Sequence, residues 1–150
     1  MIVVIQRVLN ANVKVETIPI ASIDQGLLIL LGVEDEDSDE DLKWLVRKIV
    51  QLRIFSDAEG KMNLSALEVQ AEFLVVSQFT LHARTKKGNR PSFVKAAKPV
   101  HAEALYEDFI QELSRHSSHL VQHGKFGADM QVSLLNDGPV TILIDTKNKH

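Results

Sequence analysis

The sequence predicts an α+β fold: one compact domain over residues 1–150, with a mostly antiparallel, barrel-like sheet and two longer helices packed outside it. Three observations point there. Apolar, β-branched runs gather at both ends of the chain, and two stretches between them repeat apolar residues at helical spacing. No internal repeat, low-complexity tract or linker divides the chain. A chain of this length can bury about 68–70% of its unfolded surface in one core.

Taken in order, IVVIQRVLNANVKVE (Ile2 to Glu16) alternates well enough to be one long strand or two, with Asn10-Ala11-Asn12 as a bend. GLLILLGV (Gly26 to Val33) is a continuous apolar run, hence a strand buried on both faces. Ser38 can cap a helix, with Asp41 three residues on, and Leu42, Leu45, Val46, Ile49 and Leu52 follow at helical spacing. EFLVVSQFTL (Glu72 to Leu81) is a second buried strand. Pro99 opens another helix with Ala102, Leu105, Tyr106, Phe109 and Leu113 on its inner face, fraying near Ser117-Ser118. Strands over 130–135 and 140–145 close the fold, giving five or six strands in all.

Composition narrows the chemistry. There are no cysteines, which excludes disulfides, cysteine-ligated zinc and a thiol nucleophile. The opening apolar stretch is only five residues long before Gln6, too short for a signal peptide's core, and no run is long enough to cross a membrane as a helix. The expected location is the cytoplasm. The net charge of −3 hides a split. EDEDSDED (Glu34 to Asp41) carries seven acids in eight residues and reads as a solvated loop and helix start. RTKKGNRPSFVKAAK (Arg84 to Lys98) carries six bases and no acid, and is either a solvated loop or a local phosphate contact.

Familiar catalytic signatures are missing: the sequence has no GxSxG, HExxH, GxxxxGKS or GxGxxG. His116, His119 and His123 would share a face on a continuous helix, but no carboxylate or cysteine follows at ligand spacing, so no metal site is expected. Ser77 and Thr80 have only His82 near them as a base, and a hydroxyl needs one to become a nucleophile. SLLNDGPVTILID (Ser133 to Asp145) raises a separate question. Asn136-Asp137-Gly138 reads as a hairpin turn, yet Pro139, which cannot donate to a ladder, stands at the mouth of the next strand. Gly138-Pro139 is either a plain turn stop or a working element.

Three segments in this order and spacing decide between those readings: SQFTL (Ser77 to Leu81), KKGNRPSF (Lys86 to Phe93) and NDGPVT (Asn136 to Thr141), the last preceded by GKFGADMQVSL (Gly124 to Leu134). Together they resemble the D-aminoacyl-tRNA deacylases of the bacterial and eukaryotic type, marked by SQFT and NxGPxT elements. The likeness runs end to end, through QRVLNANVKV and RKIVQLRIFSDAEGKMNLS. His82 and Arg84 depart from what the family leads one to expect, as does the SIDQGLL turn, but neither motif is touched.

The resemblance implies a homodimeric, cofactor-free hydrolase that removes D-amino acids, and also mischarged glycine, from tRNA. It implies that Ser77, Gln78, Phe79 and Thr80 line the catalytic pocket. It further implies that Gly138-Pro139 is a cis peptide reaching into the partner subunit's site. A rigid backbone wall where an L side chain would project rejects it by clash, whereas fit alone discriminates only weakly. Glycine, lacking a side chain, would pass. Backbone amides of the SQFT segment can hold the developing oxyanion, with the terminal ribose 2′-hydroxyl assisting water; Thr80 as nucleophile is the alternative. Phe126 and Met130 are expected either to hold the terminal adenosine or to pack in the core. The Arg84–Lys98 segment would meet acceptor-stem phosphates, with Arg90 either among those contacts or tying the RPSF turn instead.

Overall fold

The computed structural model describes residues 1–149. Its strands are β1 (Ile2–Val15), β2 (Ile18–Ile23), β3 (Gly26–Gly32), β4 (Phe55–Ser56), β5 (Met62–Leu64), β6 (Glu72–Ser77), β7 (Val121–His123) and β8 (Gln131–Asp145), and its helices are α1 (Asp39–Gln51) and α2 (Pro99–His116). The main sheet runs β2-β1-β3-β6-β7, with β8 on the other side of β1. β1 pairs antiparallel with β2, β3 and β8, while β3–β6 and β6–β7 are parallel. The two ends of the sheet approach each other where the Ser22 N–H donates to the Gln122 side-chain carbonyl at 2.9 Å, giving the barrel-like curl. β4 and β5 form a separate small hairpin.

Strand alternation divides the core in two. Val3 and Ile5 of β1, Leu27, Ile29 and Leu31 of β3, and Phe73 and Val75 of β6 face the helices. Val8, Val13, Leu28, Leu74 and Val76 face the opposite way, into the curl. A strand with both faces buried has no polar side, which is why these segments read as unbroken apolar runs.

Both helices form as their local signals dictate. Ser38 caps α1, its hydroxyl accepting from the Asp41 N–H while the Asp41 carboxylate accepts from the Ser38 N–H. Leu42, Leu45, Val46 and Ile49 are buried, and Leu52, expected on the same face, is instead the cap residue after the last turn. Pro99 stands at the start of α2, which buries Leu105, Tyr106, Phe109 and Leu113 and stops at His116, just before the serines.

Several expectations are corrected. The C-terminal hairpin does not exist: β8 is one strand of fifteen residues passing straight through Asn136-Asp137-Gly138-Pro139. Its register against β1 jumps from Gln6↔Thr141 to Val8↔Asn136, so residues 137–140 bulge out opposite Arg7 alone. The strand from Glu72 ends at Ser77, and residues 79–82 turn into a short 3-10 helix. The chain has eight strands among the described residues, because β2, β7 and the β4–β5 hairpin escaped the sequence reading. The acidic run is less solvated than expected. Asp37 is buried, pairs with the Met1 ammonium and accepts from the Glu34 N–H, while Thr146 takes a second bond from Met1. No described helix is long and apolar enough to cross a membrane.

Candidate active site

Ser77 is the last residue of β6, where it pairs in register with Leu31 of β3. The Gln78 N–H makes one more ladder bond, to the Leu31 carbonyl at 2.7 Å. The backbone then leaves the sheet: the Leu81 and Ala83 N–H groups fold back on the carbonyls of Gln78 and Thr80. This tight turn projects Phe79 outward, 56% exposed, with its ring edge-to-face against Phe93 at 5.1 Å. Phe93 is set by the base of the basic loop, where Arg84 and Ser92 exchange both backbone hydrogen bonds.

A cleft of about 570 Å³ opens between this turn, the 96–99 segment, the first turns of α2 and the loop from Phe126 to Met130. Three backbone ties hold it. The Ala97 N–H donates to the Val33 carbonyl at 2.9 Å, the Lys98 N–H to the Asp35 carboxylate at 3.2 Å, and the Gly124 N–H to the Val75 carbonyl at 2.9 Å. Tyr106 closes the inner wall, its hydroxyl donating to the same Val75 carbonyl at 3.0 Å. Burial pushes that phenol far above its usual pKa, so it stays a neutral donor across the working pH range.

The cleft brings together Ser77, Gln78 and Phe79 with Phe126 and Met130, five of the residues singled out from the sequence. Thr80 does not line it. Its hydroxyl accepts a hydrogen bond from the Gln78 amide at 2.6 Å, and an amide donor cannot act as its base. Gly138 and Pro139 are not in the cleft either; they lie exposed in the β8 bulge. The three histidines do not share a helical face, because α2 ends at His116. His116 meets Glu112 at 3.1 Å, and His123 is on β7 with Nδ1 2.7 Å from the Gly124 carbonyl.

The bulge is held by Asn136, which belongs to the NxGPxT element, and by Arg7, which no sequence motif singles out. The Asn136 side-chain amide donates to the carbonyls of Arg7 and Val140 at 2.9 and 3.0 Å, replacing ladder bonds the bulge breaks. Arg7 is buried; its Nη1 donates to the Ile54 carbonyl at 2.6 Å and its Nε lies 3.1 Å from the Asp137 carboxylate. Gly138 has φ +123°, and a Cβ there would come within 2.9 Å of Arg7 Nη2, so no other residue fits without displacement. The peptide bond from Gly138 to Pro139 is cis.

The family described as D-Tyr-tRNA(Tyr) deacylase matches residues 4–145, which span the cleft and the bulge alike. The chain belongs to that family. Proteins named D-aminoacyl-tRNA deacylase from Bacteroides thetaiotaomicron and Flavobacterium psychrophilum are 58% and 56% identical over 147 residues, covering 98% of both chains in each case. A solved structure named c-Myc DNA Unwinding Element Binding Protein superposes with a TM-score of 0.92 at 44% identity, covering 97% of this chain and 98% of that one. A second, described as a probable eukaryotic D-amino acid tRNA deacylase, has a TM-score of 0.80 at 20% identity and covers 95% of this chain and 97% of that one. At that identity the likeness concerns the fold.

The sequence signal for Arg7 is the Gln6-Arg7 pair, two adjacent polar residues interrupting the apolar alternation of β1. Asn136 and Gly138 stood inside a recognised element, but their roles depend on a partner strand more than a hundred residues away.

Proposed function

We propose that this deacylase-family chain hydrolyses the ester of D-aminoacyl-tRNA, and of mischarged glycyl-tRNA, in the cytoplasm, as a homodimer and a single-domain enzyme. The observation that carries the reading is the separation of its two motifs: Ser77, Gln78 and Phe79 line a cleft, while Gly138-Pro139 stands exposed on a pinned bulge outside it. A bulge that is anchored yet stands outside the cleft of its own chain suits insertion into the cleft of a second copy, where it would complete the site.

In that assembly the aminoacyl group lies between the Ser77–Phe79 wall and the partner's Gly138-Pro139. The terminal adenosine sits toward Phe126 and Met130. An L side chain would project into backbone that Asn136 and Arg7 hold in place, whereas a D side chain points away and glycine projects nothing. An ester is already activated toward water, so the site needs to orient it and stabilise the oxyanion more than to supply a nucleophile. The Gln78–Thr80 contact supports this division of labour: the hydroxyl is a bound acceptor that shapes the turn, and the group bonded to it is an amide rather than a base. The ribose 2′-hydroxyl next to the ester would assist the attacking water. The exposed lysines and arginines between Arg84 and Lys98, next to Phe93, would meet the acceptor-stem phosphates and make binding salt-dependent.

The test is release of amino acid from D-tyrosyl-tRNA and glycyl-tRNA by the purified protein with a chelator present. Hydrolysis of both well above the spontaneous rate is expected. No acceleration of the D ester would overturn the proposal.

A further inference from the structure

Behind the cleft lies a second hollow of about 560 Å³, and the two share the rings of Tyr106 and Phe126. These rings stand 5.7 Å apart, tilted by 48°, as a thin aromatic partition between two spaces of nearly equal size. We propose that the second hollow holds the nucleotide preceding the terminal adenosine, a deeper reading of the same substrate site that rests on the proposed function.

The lining has the chemistry of a nucleotide site. Ile20 of β2, 42% exposed, and the outer side of Phe126 offer apolar surface for the flat face of a base. Glu107 and Gln111, one helical turn apart on α2, present a carboxylate and an amide to its edge. Lys125 is adjacent in sequence to the partition residue Phe126, where a phosphate joining two nucleotides on either side would fall. Among the described residues neither Glu107 nor Lys125 is engaged in an ion pair. The base before the terminal adenosine of tRNA is cytosine, whose exocyclic amine is a donor that a carboxylate accepts. The pairing of Glu107 with that amine thus gives the hollow a preference for the base present there in every tRNA.

The experiment compares D-tyrosyl-adenosine with D-tyrosyl esters of cytidylyl-adenosine and uridylyl-adenosine. The cytidylyl ester is expected to have kcat/KM at least about fivefold above the nucleoside ester, the lower end of base–aromatic stacking, expressed mainly in KM. The uridylyl ester, lacking the amine, should gain less. In Glu107→Ala and Gln111→Ala, both on the exposed side of α2, the advantage of the cytidylyl ester should disappear. Equal kcat/KM for nucleoside and dinucleotide esters in the wild type would overturn the proposal, as would an advantage that survives both substitutions. Failure to hydrolyse any of the three would overturn the reading of the cleft, and the subsite with it.

Discussion

Replacing Arg7 by lysine isolates what the arginine's shape contributes. The guanidinium spans two directions at once, with Nη1 on the Ile54 carbonyl at 2.6 Å and Nε 3.1 Å from the Asp137 carboxylate and 3.2 Å from its backbone carbonyl. A lysine ammonium keeps the charge but is a single point, and it cannot serve Ile54 and Asp137 together. At least one charge-assisted hydrogen bond is lost in a site where Arg7 is 8% and Ile54 7% exposed. A hydrogen bond to a charged group contributes about 1.5–3 kcal/mol, so Arg7→Lys should destabilise by about that amount. For a domain of this size that corresponds to a fall in Tm of about 3–12 °C. The assay is thermal unfolding followed by circular dichroism, with deacylation of D-tyrosyl-tRNA on the folded protein. If the bulge is the selective wall, Arg7→Lys should also hydrolyse L-tyrosyl-tRNA faster than the wild type does. A variant with unchanged Tm and unchanged selectivity would show that neither anchor matters and would refute the reasoning.

Gly138→Ala should cost about 1–3 kcal/mol of stability, from φ +123° and the 2.9 Å approach to Arg7 Nη2, read as a lowered urea midpoint with unchanged slope. Thr80→Ala should fold and retain D-ester hydrolysis within about tenfold, because only a hydrogen bond from Gln78 is removed; complete loss of activity in the folded protein would restore Thr80 as nucleophile. Asp41 titrates at about 2: burial opposes its ionisation, but hydrogen bonds from Lys147 and Ser38 outweigh that. A carboxylate with a depressed folded pKa adds stability above its unfolded value of about 3.9 and loses it as pH falls toward 2. The gap in Tm between wild type and Lys147→Met should therefore narrow as pH is lowered through that window.

What was legible in the sequence was local. The Ser38–Asp41 cap, the helical spacing from Leu42 to Ile49, and Pro99 at the start of α2 act within a few residues, and each appears as expected. The apolar runs of β3 and β6 also announced strands buried on both faces. The continuity of β8 was not legible, because Asn-Asp-Gly-Pro is turn chemistry and only Asn136 bonding to the Arg7 carbonyl makes it a bulge. The three histidines would share a face only on a continuous helix, and α2 ends at His116, next to the Ser117-Ser118 pair where fraying was expected. For the candidate site, the motifs pointed to Ser77, Gln78, Phe79, Phe126 and Met130, which do converge on one cleft, while Thr80 turns away from it. Tyr106 read as a core residue, and its hydroxyl's place between β6 and the Phe126 loop exists only once the fold is assembled.

The most direct test of the central claim is hydrolysis of matched D-tyrosyl-tRNA and L-tyrosyl-tRNA by the purified protein under one set of conditions. The account predicts rapid release of D-tyrosine with the L ester left at its spontaneous rate. Equal hydrolysis of the two esters, or none of either, would contradict it.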